Sequence, residues 1–232
     1  MFENGTMSRG VTTTIRKLFA PCFKFNALRA RPKGGGVTRS QARKKGHLID
    51  HEIGLYINNV HSTDMFCKET KYLIDYISTH GLTPLWSQKV VGWMEARIAT
   101  CIDLICRDTS NTYVIVELKY GCAYRECSTG KLLRHVIAHD DSLLHQHQLQ
   151  LLLTRVLFEK TYGFRPLMLL LYTDTEGVVP YTENTFGVQW TDKASEILCM
   201  SAVKKTQRNR NKTTRLKQTK NTKQNKKSKT TN

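Results

Sequence analysis

The chain is 232 residues long and carries 36 Lys and Arg against 19 Asp and Glu, a formal charge of +17 with a sequence pI near 9.7. Its longest apolar stretch, Pro166 to Tyr172, is strand-sized, which excludes a membrane-spanning helix. Seven cysteines, an odd number with no CxxC pair, do not make a disulfide scaffold and fit a reducing compartment.

The charge is unevenly placed. Residues 1–45 hold 11 basic groups and one acid, Glu3; residues 46–203 hold 13 basic and 18 acidic groups; residues 204–232 hold 12 basic groups and no acid. The middle is therefore mildly acidic and both ends are strongly basic. Three parts are expected: a basic, largely disordered arm over 1–45, a folded domain over 46–203, and a disordered basic tail over 204–232. The tail is built from Lys, Arg, Thr, Gln and Asn, which cannot bury enough surface to offset the entropy of ordering it. Such a segment serves phosphate binding, nuclear import or both. The arm, basic and hydroxylated from Val11 to Phe25, also has the composition of a mitochondrial presequence, although Pro21 interrupts a long amphipathic helix.

In chain order, residues 46–57 read as a helix with Leu48, Glu52, Leu55 and Tyr56 at helical spacing. A second helix follows from about Asp64 to Thr79 and ends at Gly81. Leu85 to Val91, Ala96 to Cys106 and Thr112 to Tyr120 read as strands, the last two joined by the turn-forming residues 107–111. Helical spacing returns from Ser142 to Tyr162 and is closed by Gly163. Pro166 to Thr173 reads as a strand buried on both faces, and Val178 to Trp190 as a final hairpin. The order predicts an α/β domain, a mixed central sheet flanked by helices.

Asp103, Glu117 and Lys119 stand inside two of these apolar strands, where charged groups are rare unless they face a site. A hairpin turning at Ser110 places Asp103 opposite Glu117, and alternation puts Glu117 and Lys119 on one face. Two carboxylates and an ammonium on one patch suit one or two Mg²⁺ ions with a cation beside an attacking water.

The pattern resembles the PD-(D/E)xK nuclease superfamily, in particular its RecB-like and lambda-exonuclease-like branch. The residues that carry the resemblance are Trp93 to Ile105 around Asp103, Tyr113 to Gly121 around Glu117 and Lys119, and the run His147-Gln148-Leu149-Gln150-Leu151 on the following helix. It covers roughly residues 46–175 and implies a restriction-endonuclease-like core. It also implies that Asp103 and Glu117 ligate the metal with the Leu118 carbonyl, that Lys119 acts on the water and phosphate, and that Gln148 positions substrate or Lys119. The helix before the hairpin supplies a further group in that branch, here Glu52, with His47 and His51 as the other candidates.

Other features carry less. Cys101 and Cys106, and Cys122 and Cys127, lack the split spacing of iron–sulfur nucleases and read as buried thiols. His135, His139, His145 and His147 lack a zinc signature and read as solvated or phosphate-path residues, with Arg125, Lys131 and Arg134 as candidate phosphate contacts. The expected function is Mg²⁺-dependent hydrolysis of DNA, or of RNA, with Mn²⁺ able to substitute. A non-catalytic nucleic-acid-binding protein of the same fold is the alternative. The expected location is a nucleus, or alternatively a mitochondrion, and the compact size fits a protein of a DNA virus. No membrane partner is expected.

Overall fold

The apolar runs at 113–120 and 167–173 become the two central strands of one mixed sheet. The computed structural model of the protein describes residues 9–18, 39–121, 128–132, 140–185 and 196. In chain order the elements are β1 (Arg9–Gly10), α1 (Val11–Leu18), α2 (Arg39–Ile57), a 3-10 turn (Thr63–Met65), α3 (Lys68–Thr79), β2 (Thr83–Trp93), β3 (Ile98–Arg107), β4 (Tyr113–Tyr120), β5 (Ser128–Leu132), β6 (Asp140–Ser142), α4 (Leu143–Tyr162), β7 (Leu167–Thr173), β8 (Val178–Thr182) and a second 3-10 turn (Glu183–Thr185).

The sheet runs β3, β4, β7, β8, with β2 also paired to β3, and β1 joining β3 in parallel at Arg9↔Ile98 and Gly10↔Ala99. β2–β3, β3–β4 and β7–β8 are antiparallel, and β4–β7 is parallel. A parallel pair needs a crossover, and α4 lies within it. β5 and β6 form a separate two-stranded pair. The Asp108 side chain closes the β3–β4 turn by accepting hydrogen bonds from Ser110 N (2.9 Å) and Thr112 N (2.8 Å).

Alternation along β4 and β7 builds two cores. Ile115, Met168, Leu170 and Tyr172 face α4 and α1; Val114, Val116, Leu118, Leu169 and Leu171 face Ile49 and Ile53 of α2 and Leu73 and Ile77 of α3. The result is helices on both faces of a mixed sheet, the expected fold class. Each large central side chain contributes strongly: truncating one such as Leu170 to Ala costs about 2–5 kcal/mol.

Two boundaries differ from the expected arm. Residues 9–18 belong to the fold, because Val11 and Ile15, four apart on α1, are buried against the α4 face of the sheet. Residues 39–45 are the first turns of α2, built from good helix formers with no Gly or Pro, and Lys45 is anchored to Glu69 at 2.7 Å. α3 starts at Lys68, later than expected, because Ser62 caps a separate 3-10 turn ahead of it. The rest of the arm (1–8 and 19–38), the tail at 204–232, Cys122, Cys127, Arg125, Arg134, His135 and His139, and the second half of the expected terminal hairpin lie outside the described residues. Among the described residues no helix is long and apolar enough to cross a membrane.

Candidate active site

The site forms where β3 and β4 part. Their ladder runs Arg107↔Tyr113, Cys106↔Val114, Ile105↔Ile115 and Leu104↔Val116, the register expected of a turn at Ser110, and then stops. Further along, at Ile98 and Ala99, β3 pairs with β1. Asp103 stands at the opening, and its Oδ2 accepts a hydrogen bond from the Leu118 backbone N–H at 2.9 Å. β3 also turns about its axis here, since Ile102 and Leu104 are buried in opposite cores although only two residues apart. Across β2 the register sets Gln88 opposite Asp103, between Ser87↔Leu104 and Lys89↔Ile102. Gln88 has φ +51°, the left-handed region that costs a non-glycine residue energy and that collects at functional sites. Its Oε1 accepts a hydrogen bond from the Cys101 thiol at 3.3 Å.

Glu117 is buried, 2% exposed, on the α4 side of β4. Its Oε1 accepts hydrogen bonds from the Lys119 ammonium and from the Gln150 side-chain amide of α4. Burial holds the Glu117 carboxyl above the usual carboxylate range; the Lys119 charge opposes this, and the Asp103 and Asp50 charges reinforce it. Lys119 is pulled down by burial, yet the charges of Glu117, Asp103 and Asp50 outweigh that and keep it an ammonium.

Asp50 is the acid that the sequence reading missed. It sits on α2, where burial and then the Asp103 charge push its carboxyl up to about 6, against the lowering effect of Lys119 and His47. Three acids and one ammonium, Asp50, Asp103, Glu117 and Lys119, thus act on one another from α2, β3 and β4. The periodicity of α2 does hold a signal for Asp50, which follows Ile49 and precedes Ile53, the two residues that dock the helix on the sheet.

The structure brings Asp103, Glu117 and Lys119 together, with the Leu118 backbone between the latter two. Glu52 lies elsewhere. Its buried carboxylate accepts hydrogen bonds from Cys67 N (3.1 Å) and from Thr70 Oγ1 (2.5 Å), at the N-terminus of α3. Cys67 provides no side-chain cap, so Glu52 satisfies the amide of this N-cap residue and meets the positive end of the α3 dipole. Glu52, expected to add to the metal site or hold a water, is thus engaged at the start of α3. His51 is exposed, and His47 is exposed and accepts a 3.4 Å hydrogen bond from Arg43 Nε. Gln148 is buried, but Gln150, about 200° away around the helix, is the glutamine that reaches Glu117.

Close by, His147 Nδ1 and the Tyr172 hydroxyl are hydrogen-bonded at 2.6 Å, and burial with the Lys119 charge keeps the imidazole neutral. Cys106 is a buried thiol, pushed up to about 12 by burial, whereas Cys101 is half-buried at the site's rim. Among the described residues no three His, Cys, Asp or Glu side chains stand in an arrangement that already encloses an ion. The oxygen donors at hand are the carboxylates of Asp103, Glu117 and Asp50 and the carbonyl of Leu118.

No protein family and no curated protein matches the sequence. Among solved structures the chain is similar to a supposed exonuclease from Eubacterium rectale, with 11% identity, a TM-score of 0.37, and coverage of 81% of this chain and 70% of that one. It is also similar to the protein SSO0001, with 12% identity, a TM-score of 0.29, and coverage of 86% and 78%. Neither likeness is close enough to transfer a function, and the class of the chain, a mixed α/β sheet with a buried acid–lysine cluster at a strand opening, stands on its own geometry.

Proposed function

We propose that the protein is a metal-dependent nuclease that hydrolyses DNA phosphodiester bonds, in DNA processing, replication or recombination. The observation that carries this reading is the burial of Glu117 in one cluster with Lys119, Asp103 and Asp50 where β3 and β4 part. Gathering like charges at a sheet opening costs stability, and such groups concentrate at functional sites. An acid on one strand, Glu-x-Lys on the next, then a helix and a parallel strand is also the arrangement implied by the nuclease superfamily that the sequence resembles.

The donor chemistry fits a hard divalent cation. Carboxylate and carbonyl oxygens from Asp103, Glu117, Leu118 and Asp50 suit Mg²⁺ or Mn²⁺. When bound, such an ion supplies Lewis-acid stabilisation of the phosphate and a water that ionises near neutral pH. The chain's own residues do the rest. Leu118 N–H fixes Asp103, the Gln150 amide fixes Glu117, and the Lys119 ammonium is the cation poised to hold charge developing on phosphate oxygens. Groups set in place before the reaction cost no reorganisation during it.

The charge distribution supports a polyanionic substrate. The acidic middle of the chain repels nucleic acid, and the basic residues of 1–45 and 204–232 supply the attraction, with nuclear import a second use of the tail. The test is incubation of purified protein with end-labelled linear and closed-circular DNA, with Mg²⁺ or Mn²⁺ and with EDTA. Loss of linear DNA alone marks an exonuclease, and nicking of circles an endonuclease. Intact DNA in every metal-containing lane contradicts the proposal and leaves a binding protein of this fold.

A further inference from the structure

An aromatic row crosses the end of the sheet beside this site. Trp86 of β2 and Tyr113 of β4 have near-parallel rings with centroids 6.3 Å apart. Tyr113 meets Phe164 at 4.9 Å, and Phe164 meets Phe158 at 5.2 Å and Tyr162 at 6.3 Å. Phe158 belongs to the core, but Trp86, Tyr162 and Phe164 remain 44%, 40% and 41% exposed. Exposed aromatics are ordinarily scattered singly, so three joined in one row mark a surface that meets something.

The chemistry around the row indicates what that is. The Lys89 ammonium sits over the Trp86 ring at 5.7 Å, and the Arg107 guanidinium lies 4.9 Å from the centre of the Tyr113 ring. Arg107 Nη2 donates to the Tyr113 hydroxyl at 2.7 Å, while its Nε has no hydrogen-bond partner among the described residues. Arg165 at the far end is already engaged by Glu159 and Glu183. Flat apolar faces interleaved with cations suit a ligand that is flat, apolar and anionic in alternation. A single-stranded nucleic acid has those properties, whereas a duplex hides its base faces within the stack.

The row is continuous with the candidate site. Gln88, opposite Asp103, is two residues from Trp86, about 7 Å along β2. Lys89 is the next residue, and it pairs with Ile102, the neighbour of Asp103.

We propose that Trp86, backed by Tyr113 and Phe164, is a stacking site for an unpaired base of a single-stranded nucleic acid that runs along β2 to Asp103 and Glu117. The course of the strand rests on the nuclease reading of those two acids; the stacking site itself is testable without cleavage.

The experiment is fluorescence anisotropy of a labelled oligothymidylate, and of a labelled duplex of equal length, titrated with the full chain in EDTA at physiological salt. Trp86→Ala is expected to weaken single-strand binding roughly 5- to 100-fold, the range of one base–aromatic contact, with little change for duplex. Trp86→Phe, which keeps a stacking face, should restore most of the affinity, and Phe164→Ala should weaken it in the same direction. Single-strand affinity in Trp86→Ala equal to wild type overturns the proposal, as does an equal loss on duplex. A change of oligomeric state in place of a change in affinity also overturns it and makes the row a self-association face. DNA cleavage by the wild type with unchanged Trp86→Ala binding removes the stacking site and leaves the nuclease reading standing. Loss of single-strand binding in Trp86→Ala, with no cleavage by the wild type, does the reverse.

Discussion

Asp103 Oδ2 accepts the Leu118 N–H at 2.9 Å, just beyond the last β3–β4 pair, Leu104↔Val116. The side chain thus satisfies an amide that a continued ladder would have paired with the main chain. One acid therefore secures the edge of the opening and adds its charge to the field around Glu117 and Lys119. The Asp103 bond keeps the parting of the strands from leaving a buried amide unmet.

Gln148 and Gln150, two of the three glutamines of α4, separate chemistry from packing. Gln150 donates to Glu117, so Gln150→Ala frees a buried carboxylate oxygen and should lower turnover by roughly 10- to 100-fold, the worth of a hydrogen bond to a charged group. Its melting temperature should fall as well, because a buried carboxylate loses a donor. Gln148→Ala should lower the melting temperature with turnover close to wild type. Steady-state kinetics beside thermal denaturation reads both.

Glu52→Gln tests the reassigned acid. The substitution removes the charge that meets the N-terminus of α3 and weakens the bonds from Cys67 N and Thr70 Oγ1. A loss of about 1–3 kcal/mol in denaturant unfolding is expected, with metal-dependent cleavage by the folded variant unchanged. Cleavage abolished at full stability would return Glu52 to the active site.

His147 gives the fold a pH response. Its folded pKa is depressed, by burial first and by the Lys119 charge second, so the folded state keeps the ring neutral. The unfolded chain takes up a proton below about pH 6.5 and then binds more protons than the folded state, so acidification favours unfolding. The stabilising contribution is complete above about pH 6.5 and falls by up to about 1.4 kcal/mol per pH unit below it. His147→Gln, which keeps a partner for Tyr172 and cannot titrate, should flatten the stability profile between pH 7 and 5. Parallel profiles for the two proteins would refute the assignment.

Lys119→Ala should reduce the rate by roughly two to four orders of magnitude while leaving DNA affinity nearly unchanged, because one phosphate contact among many is a small share of binding. Normal turnover at saturating DNA, with weakened binding, would make Lys119 a docking residue.

The hairpin is legible in the sequence because both strands and their turn are local. Residues 107–111 set the register, alternation sets the faces, and Glu117 and Lys119 fall on one side as that alternation requires. The helical contributions are harder to read. Leu149, Leu151, Leu152 and Leu153 are all buried, so α4 has no polar face against which periodicity could rank Gln148 and Gln150. On α2, Glu52 and Asp50 are separated by about 200°, and which of them meets the sheet depends on how Ile49 and Ile53 dock against β3, β4 and β7. The folding of residues 9–18 into the domain rests, among the described side chains, on Val11 and Ile15, with the β1–β3 pairing beside them, within a segment whose composition is that of a solvated arm. The aromatic row joins residues from β2, β4 and the residues following α4, a neighbourhood that exists once the sheet order is known.

The central claim, that Asp103 and Glu117 form a metal-dependent catalytic pair, is tested most directly by cleavage of end-labelled DNA across a Mg²⁺ titration. Wild type, Asp103→Asn and Glu117→Gln are compared, each shown folded by its thermal transition. The account predicts that both variants remain folded and cut below roughly a hundredth of the wild-type rate at every Mg²⁺ concentration. Cleavage by either folded variant within a few-fold of wild type, or wild-type cleavage that persists in EDTA, would contradict it.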